Sequence, residues 1–171
     1  MNEYKINKVL GVILGTALAL QVLHIADGAF HPRLAKAASE GGAKGESAAG
    51  SQALNSLLAT ASAEHGAQIS KQCQICHNLQ EGQGAKIGPD LYGVVDRPVA
   101  SAADFKYTPA LKAKGGKWTF AALDKWLADP RADVPGTAMT FAGLSSDKQR
   151  ADLIAYLDTL SKSPVPLPKA K

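Results

Sequence analysis

The chain has 171 residues, 46% of them apolar and 20% charged, with a formal net charge of +4 and only two cysteines. A structural zinc site needs four soft or imidazole ligands, and two cysteines with four histidines, three of them scattered, do not supply a coherent set. The basic balance comes without a basic cluster or interleaved aromatics, which argues against nucleic-acid binding, and no phosphate loop or nucleophile beside a base marks an enzyme.

From Val9 to Ala26 runs an uncharged stretch, VLGVILGTALALQVLHIA, preceded by Lys5 and Lys8. As a helix at 1.5 Å per residue it spans about 27 Å, close to the roughly 30 Å hydrocarbon core of a bilayer. A cleavable signal has a shorter apolar region with a small-residue site close behind it. Here the nearest Ala-x-Ala, Ala35-Lys36-Ala37, lies well beyond the run. Residues 1–30 are therefore expected to form an uncleaved transmembrane anchor, with a signal peptide as the alternative and His24 at the interface. Residues 31–52 are rich in Ala, Gly, Ser, Lys and Glu. They cannot bury enough surface to fold alone, and as a flexible tether they reach about 25 Å. The linker is assigned to 31–61. Within it, Leu54, Leu57 and Leu58 stand at helical spacing and are expected to cover part of the following domain.

One globular domain is expected over 62–163, followed by a Pro/Lys tail at 164–171. Ser62 is placed to cap a first helix running to the cysteines, and Thr119 a second that ends at Asp129-Pro130, since proline cannot continue it. Ser146 and Gln149 form a capping box for a third, with Leu153, Ile154, Leu157 and Leu160 on one face. Between these helices the chain is loop-rich and shows no sustained strand-like alternation. A domain of this size with so much irregular chain needs a large apolar ligand to complete its core.

Cys73-Gln74-Ile75-Cys76-His77 identifies that ligand as haem. Thiols three positions apart, about one helical turn, can form thioethers to the two vinyl groups of one porphyrin. His77, next in sequence, then binds the iron from below. A redox dithiol would sit at a strand-to-helix junction, which is not the pattern here, and a disulfide across so short a loop stabilises little. Met1 being the initiator, Met139 is the methionine available as second axial ligand. It lies in Pro135-Gly136-Thr137-Ala138-Met139, a loop that can present a side chain free of helical constraint. Covalent haem attachment takes place outside the bacterial cytoplasm, so the domain is expected on the periplasmic side of a bacterial inner membrane.

With these residues in place the chain resembles class I cytochromes c of the mitochondrial type, and most closely their membrane-anchored bacterial members. The resemblance covers about 62–161. It rests on CQICH, GPDLYGVVDR at 88–97, FKYT at 105–108, Trp118, the Asp129-Pro130 pair, PGTAMTFAG at 135–143 and DLIAYL at 152–157. It implies an all-α class I cytochrome c fold enclosing one covalently attached haem c, with a haem edge exposed at one surface.

The resemblance also implies individual roles. The Pro89 carbonyl would accept the Nδ1 proton of His77, leaving Nε2 for iron. Arg97, Tyr107, Thr108, Trp118 and Thr137 would bind the haem propionates, Phe141 would cover the haem edge, and Leu153 and Tyr156 would pack the last helix on the first. Leu111 and Trp126 depart from the family, which has asparagine and tyrosine there. The first helix has Gly66 and Ile69 but no phenylalanine at its contact with the last.

With both axial positions filled, the expected function is one-electron transfer rather than enzymology: a tethered carrier between a cytochrome bc complex and a haem-copper terminal oxidase. A haem peroxidase or gas sensor, and a fixed subunit of a respiratory supercomplex, are the alternatives. Residues 62–171 hold 14 Lys and Arg against 11 Asp and Glu, and Arg131, Ala132 and Ala138 occupy positions where the family has lysines. With Lys71 and Lys86 remaining near the haem edge, steering by net charge is expected to be weak and tethering to replace it.

Overall fold

A computed structural model describes residues 50–169. The expected anchor, His24 and the tether up to residue 49 lie outside the described residues. Among the described residues no helix is long and apolar enough to cross a membrane.

Helical residues 50–58 form α1. Its Leu54 and Leu58 are buried, Leu58 to 1% exposure, in the same apolar cluster as Leu153, Ile154 and Leu157. The leucines at helical spacing thus belong to the core itself, and folded chain begins at least twelve residues before Ser62. Ser62 caps α2 (Ala63–Ile69) by accepting from the His65 N–H. The helix does not reach the cysteines as an α-helix. It tightens at Ser70 into a 3₁₀ segment, Ser70–Ile75, that carries Cys73.

Two further short helices lie in stretches expected to be loop, one before and one directly after the expected helix capped by Thr119. α3 (Pro109–Lys114) has Thr108 as N-cap and proline at its first position, the residue whose missing N–H costs nothing there. α4 (Phe120–Ala128) is capped by Thr119 and ends at Asp129. The side chain of Asp129 accepts from the Arg131 and Ala132 N–H groups and so starts α5 (Pro130–Asp133). α6 (Asp147–Thr159) is capped by Ser146 and buries Leu153, Ile154 and Leu157, while Leu160 stands at its C-cap. No strand is named among the described residues; Pro98 and Lys117 form one isolated antiparallel bridge.

α2 crosses α6, and α4 packs on α6. At the first crossing the space a phenylalanine fills in the family is not available, because the backbones touch. A Cβ on Gly66 would lie 2.6 Å from the Asp152 carbonyl carbon and 2.7 Å from the Tyr156 Cβ. Two buried charged residues of α6 hold the neighbouring elements. Asp152 accepts from the Ser62 N–H at 2.8 Å, from Lys148 Nζ at 2.6 Å, and contacts His65 Nδ1 at 2.8 Å. Arg150 donates to Asp124, Asp147 and the carbonyls of Leu144 and Ser145. It thereby ties α6 to α4 and to the chain that returns from the Met139 segment.

Candidate functional site

The 3₁₀ turn, the 87–97 segment, α3, α4 and the Thr137–Phe141 segment enclose one cavity of ≈ 310 Å³. Its lining brings together Cys73, Cys76, His77, Pro89, Arg97, Tyr107, Thr108, Trp118, Thr137, Met139 and Phe141, which span 69 positions of sequence. Apolar walls come from Leu91, Val94, Leu123, Leu127 and Leu157, together with Leu111 and Trp126, the two departures from the family pattern. Trp118 and Trp126 pack at a 55° tilt with centroids 5.3 Å apart, adding aromatic surface to the lining.

His77 is fixed from two directions. Its Nδ1 lies 2.6 Å from the Pro89 carbonyl oxygen and donates to it, which commits that nitrogen and leaves Nε2 as a lone-pair donor. The ring lies against Gly88, where a Cβ would stand 2.7 Å from Nδ1 and 2.9 Å from Nε2. Glycine at 88 is therefore a packing requirement of the imidazole. Burial holds the His77 pKa below its ordinary value, reinforced by the charges of Lys86 and Arg97 and opposed by the Pro89 hydrogen bond. The ring is neutral at pH 7 and able to bind a metal.

The Cys73 thiol is pushed up to about 11 by burial, so it is not a free thiolate at neutral pH. Both cysteines are unpaired and part-buried on the cavity wall, the placement a porphyrin tethered through two thioethers requires.

Three hydroxyls on the cavity lining share one arrangement. Thr108 Oγ1 accepts from the Leu111 N–H, Thr137 Oγ1 from the Met139 N–H, and the Tyr107 hydroxyl from the Ala102 N–H. Each oxygen is oriented by a backbone donor and keeps its own proton to give to a carboxylate. The Arg97 guanidinium donates to the carbonyls of Asp90 and Tyr92 while lining the cavity. An apolar cavity lined by two thiols, a neutral imidazole, a thioether and several hydrogen donors fits a haem. Around the opening, Ile75 and Ile87 are 70% and 75% exposed, and Lys86 is turned onto the Gln74 carbonyl.

The sequence reading missed the cluster Asp133, Lys114 and Lys125. Asp133 Oδ2 lies 2.6 Å from Lys114 Nζ and Oδ1 lies 2.9 Å from Lys125 Nζ, with the Asp133 side chain 1% exposed. A carboxylate followed by Val134-Pro135-Gly136 carries no local signal of burial, because both partners come from other helices.

Comparison with known proteins gives a consistent picture. The family model described as Cytochrome c matches residues 63–161. A "Cytochrome c homolog" of Bradyrhizobium diazoefficiens is 42% identical, the alignment covering 99% of each chain. The cytochrome c of the plant Stellaria longipes is 46% identical over 58% of this chain and 94% of its own. Among solved structures, cytochrome cH from Methylobacterium extorquens superposes with a TM-score of 0.54 at 40% identity, covering 57% of this chain and 98% of that one.

Proposed function

The chain belongs to the cytochrome c family, and on that premise we propose that it is a membrane-tethered, one-electron carrier of a bacterial respiratory chain. The family carries covalently bound haem c, and Cys73 and Cys76 are its attachment thiols. The observation that carries the reading is the convergence of His77, oriented by Pro89, with Met139 on one cavity. His77, through Nε2, and Met139, through Sδ, would hold the haem iron. Haem with both positions filled supplies one-electron exchange at a relatively high potential and offers no open site to a substrate.

The remaining residues hold and shield that group. Tyr107, Thr108 and Thr137 present hydroxyl protons, and Arg97 and Trp118 line the same end, where carboxylates would otherwise lose water without compensation. Phe141, also on the lining, would cover the haem edge. Leu111 and Trp126 exclude polar groups from the methionine side.

The tether is supported by the uncharged Val9–Ala26 stretch and by the Bradyrhizobium relative, which aligns across 99% of both chains and so has a counterpart to the N-terminal third. In this reading the anchor sits in the inner membrane with the haem domain periplasmic. Electrons come from a cytochrome bc complex and go to a haem-copper oxidase. The exposed Ile75 and Ile87 and the weak net charge favour confinement over electrostatic steering as the means of meeting partners.

The deciding experiment is an absorption spectrum of the purified holoprotein with a redox titration and carbon monoxide. A carrier shows a methionine-to-iron charge-transfer band in the ferric state and binds carbon monoxide poorly. Avid carbon monoxide binding by the unmodified protein would favour a sensor or peroxidase instead.

A further inference from the structure

The segment that ends in Met139 leaves α4 at Asp129 and has few anchors. Val134 donates to Pro130, Thr137 to Val134, and Met139 to the Thr137 hydroxyl, all within the segment itself. These bonds shape the loop, and Val134, buried in the apolar core, seats its start. The ionic attachment to neighbouring helices comes from Asp133. Its carboxylate lies between Lys114, the last residue of α3, and Lys125, on the exposed side of α4. Both helices wall the cavity, and Lys114 Nζ also sits 5.9 Å from the Trp118 ring centroid.

The three side chains differ in exposure. Asp133 is 1% exposed, Lys114 20% and Lys125 73%. A buried carboxylate is held by whatever neutralises it, since freeing it from one partner leaves a desolvated charge. Oδ1 has no well-directed hydrogen bond although Lys125 Nζ stands 2.9 Å away, so that contact is an ion pair steered by charge alone. Burial pushes the Asp133 carboxyl up, and the two lysines together outweigh it and hold it below its ordinary value. It is therefore ionised at pH 7. Both ammonium groups, on different helices, are occupied by the same carboxylate.

We propose that Asp133 is a positioning residue for the axial methionine: by clasping Lys114 and Lys125 it fastens the 134–139 segment to α3 and α4 and keeps Met139 in place. This rests on the assignment of Met139 as axial ligand. A loop that opens by releasing one ionic clasp is open in a fraction of molecules set by that clasp, and an added ligand for ferric iron reads that fraction directly.

The test is imidazole binding to the ferric holoprotein, followed by loss of the methionine charge-transfer band, in wild type, Asp133→Asn, Lys114→Gln and Asp152→Asn. Asp152→Asn removes an equally buried, lysine-paired carboxylate remote from the methionine segment and serves as the control for general loosening. Asp133→Asn is expected to raise imidazole affinity about tenfold or more, Lys114→Gln by a smaller factor, and Asp152→Asn by less than about twofold. Lys114→Gln keeps the test open if Asp133→Asn does not fold. Equal effects of the Asp133 and Asp152 variants, or no effect of either clasp variant, would overturn the proposal while leaving the ligand assignment intact. Absence of the band in wild type would overturn the ligand assignment, and the proposal with it.

Discussion

Gly66 and Asp152 meet backbone to backbone, so that the helix leading to the haem-binding cysteines crosses the last helix with no side chain between them. Gly66→Ala brings a helix-propensity gain of about 1 kcal/mol, which would stabilise the protein if the site were open. A Cβ 2.6 Å from the Asp152 carbonyl carbon has no flexible neighbour to displace. Overpacking should dominate, with a net loss of about 1–3 kcal/mol in denaturant unfolding of the holoprotein. Stabilisation by alanine would show that the two helices stand further apart.

Asp152 lends the same crossing a pH dependence. Burial pushes its carboxyl up, but the hydrogen bonds from His65, Lys148 and the Ser62 N–H together hold it below its ordinary value of 3.8. The stabilisation is thus fully present above about pH 3.8 and is lost as pH falls through the lower folded-state value. Asp152→Asn should cost about 2 kcal/mol at pH 7, and the gap to wild type should close on acidification below pH 3.8. A gap that stays constant into strong acid would assign the loss to packing.

Asp158 has the opposite sign. It is buried, and desolvation raises its pKa despite the hydrogen bond it accepts from the Val165 N–H. The ionised form is therefore a burden at neutral pH that is relieved as the pH falls through the raised folded-state value. Asp158→Asn keeps an acceptor oxygen and removes the charge. It should be neutral or stabilising by up to about 1 kcal/mol at pH 7, as thermal melts of both proteins would reveal.

From Trp126 through Asp147 the chain has no lysine, and Arg131 is too basic to serve as a neutral ligand. The methionine loop itself therefore carries no amine that could replace Met139 when the solution turns alkaline. Ala138→Lys places an amine next to Met139 and should lower the pH at which the ferric charge-transfer band disappears. Unchanged band loss in that variant would mean that something other than lysine supply controls ligand exchange.

The anchor reading predicts that the native protein fractionates with membranes and withstands salt and carbonate washing. Recovery of a soluble form beginning near residue 38 would identify the apolar stretch as a cleaved signal.

Local signals carried much of this fold. Ser62, Thr119 and Ser146 cap where hydroxyl before periodic apolar residues says they should, and CQICH with a lone downstream methionine marked two walls of the cavity. Short helices were harder to read. α3 and α5 span six and four residues, too few for a periodic stripe, and each is held by a single cap and a proline. For α1 the helical spacing of Leu54, Leu57 and Leu58 was legible, but their place in the core was not, because the surrounding composition is that of a linker and only the partners in α6 make Leu54 and Leu58 core. The Asp133 clasp has no sequence signature at all, since its three members come together only once α3, α4 and α5 have assembled.

The cavity at the centre of the core has a consequence for how the cell makes this protein. Stripped of its porphyrin, a space of ≈ 310 Å³ would cost about 7 kcal/mol at roughly 24 cal/mol per Å³, comparable to the whole stability of a small domain. A chain that has not received its porphyrin is therefore expected to lose much of the stability of this fold. Loss of the fold would expose Trp118, Trp126 and Leu123, which line the cavity, to proteases. Folding thus acts as a proofreading step on assembly, and the amount of carrier that survives reports how much porphyrin the cell has delivered.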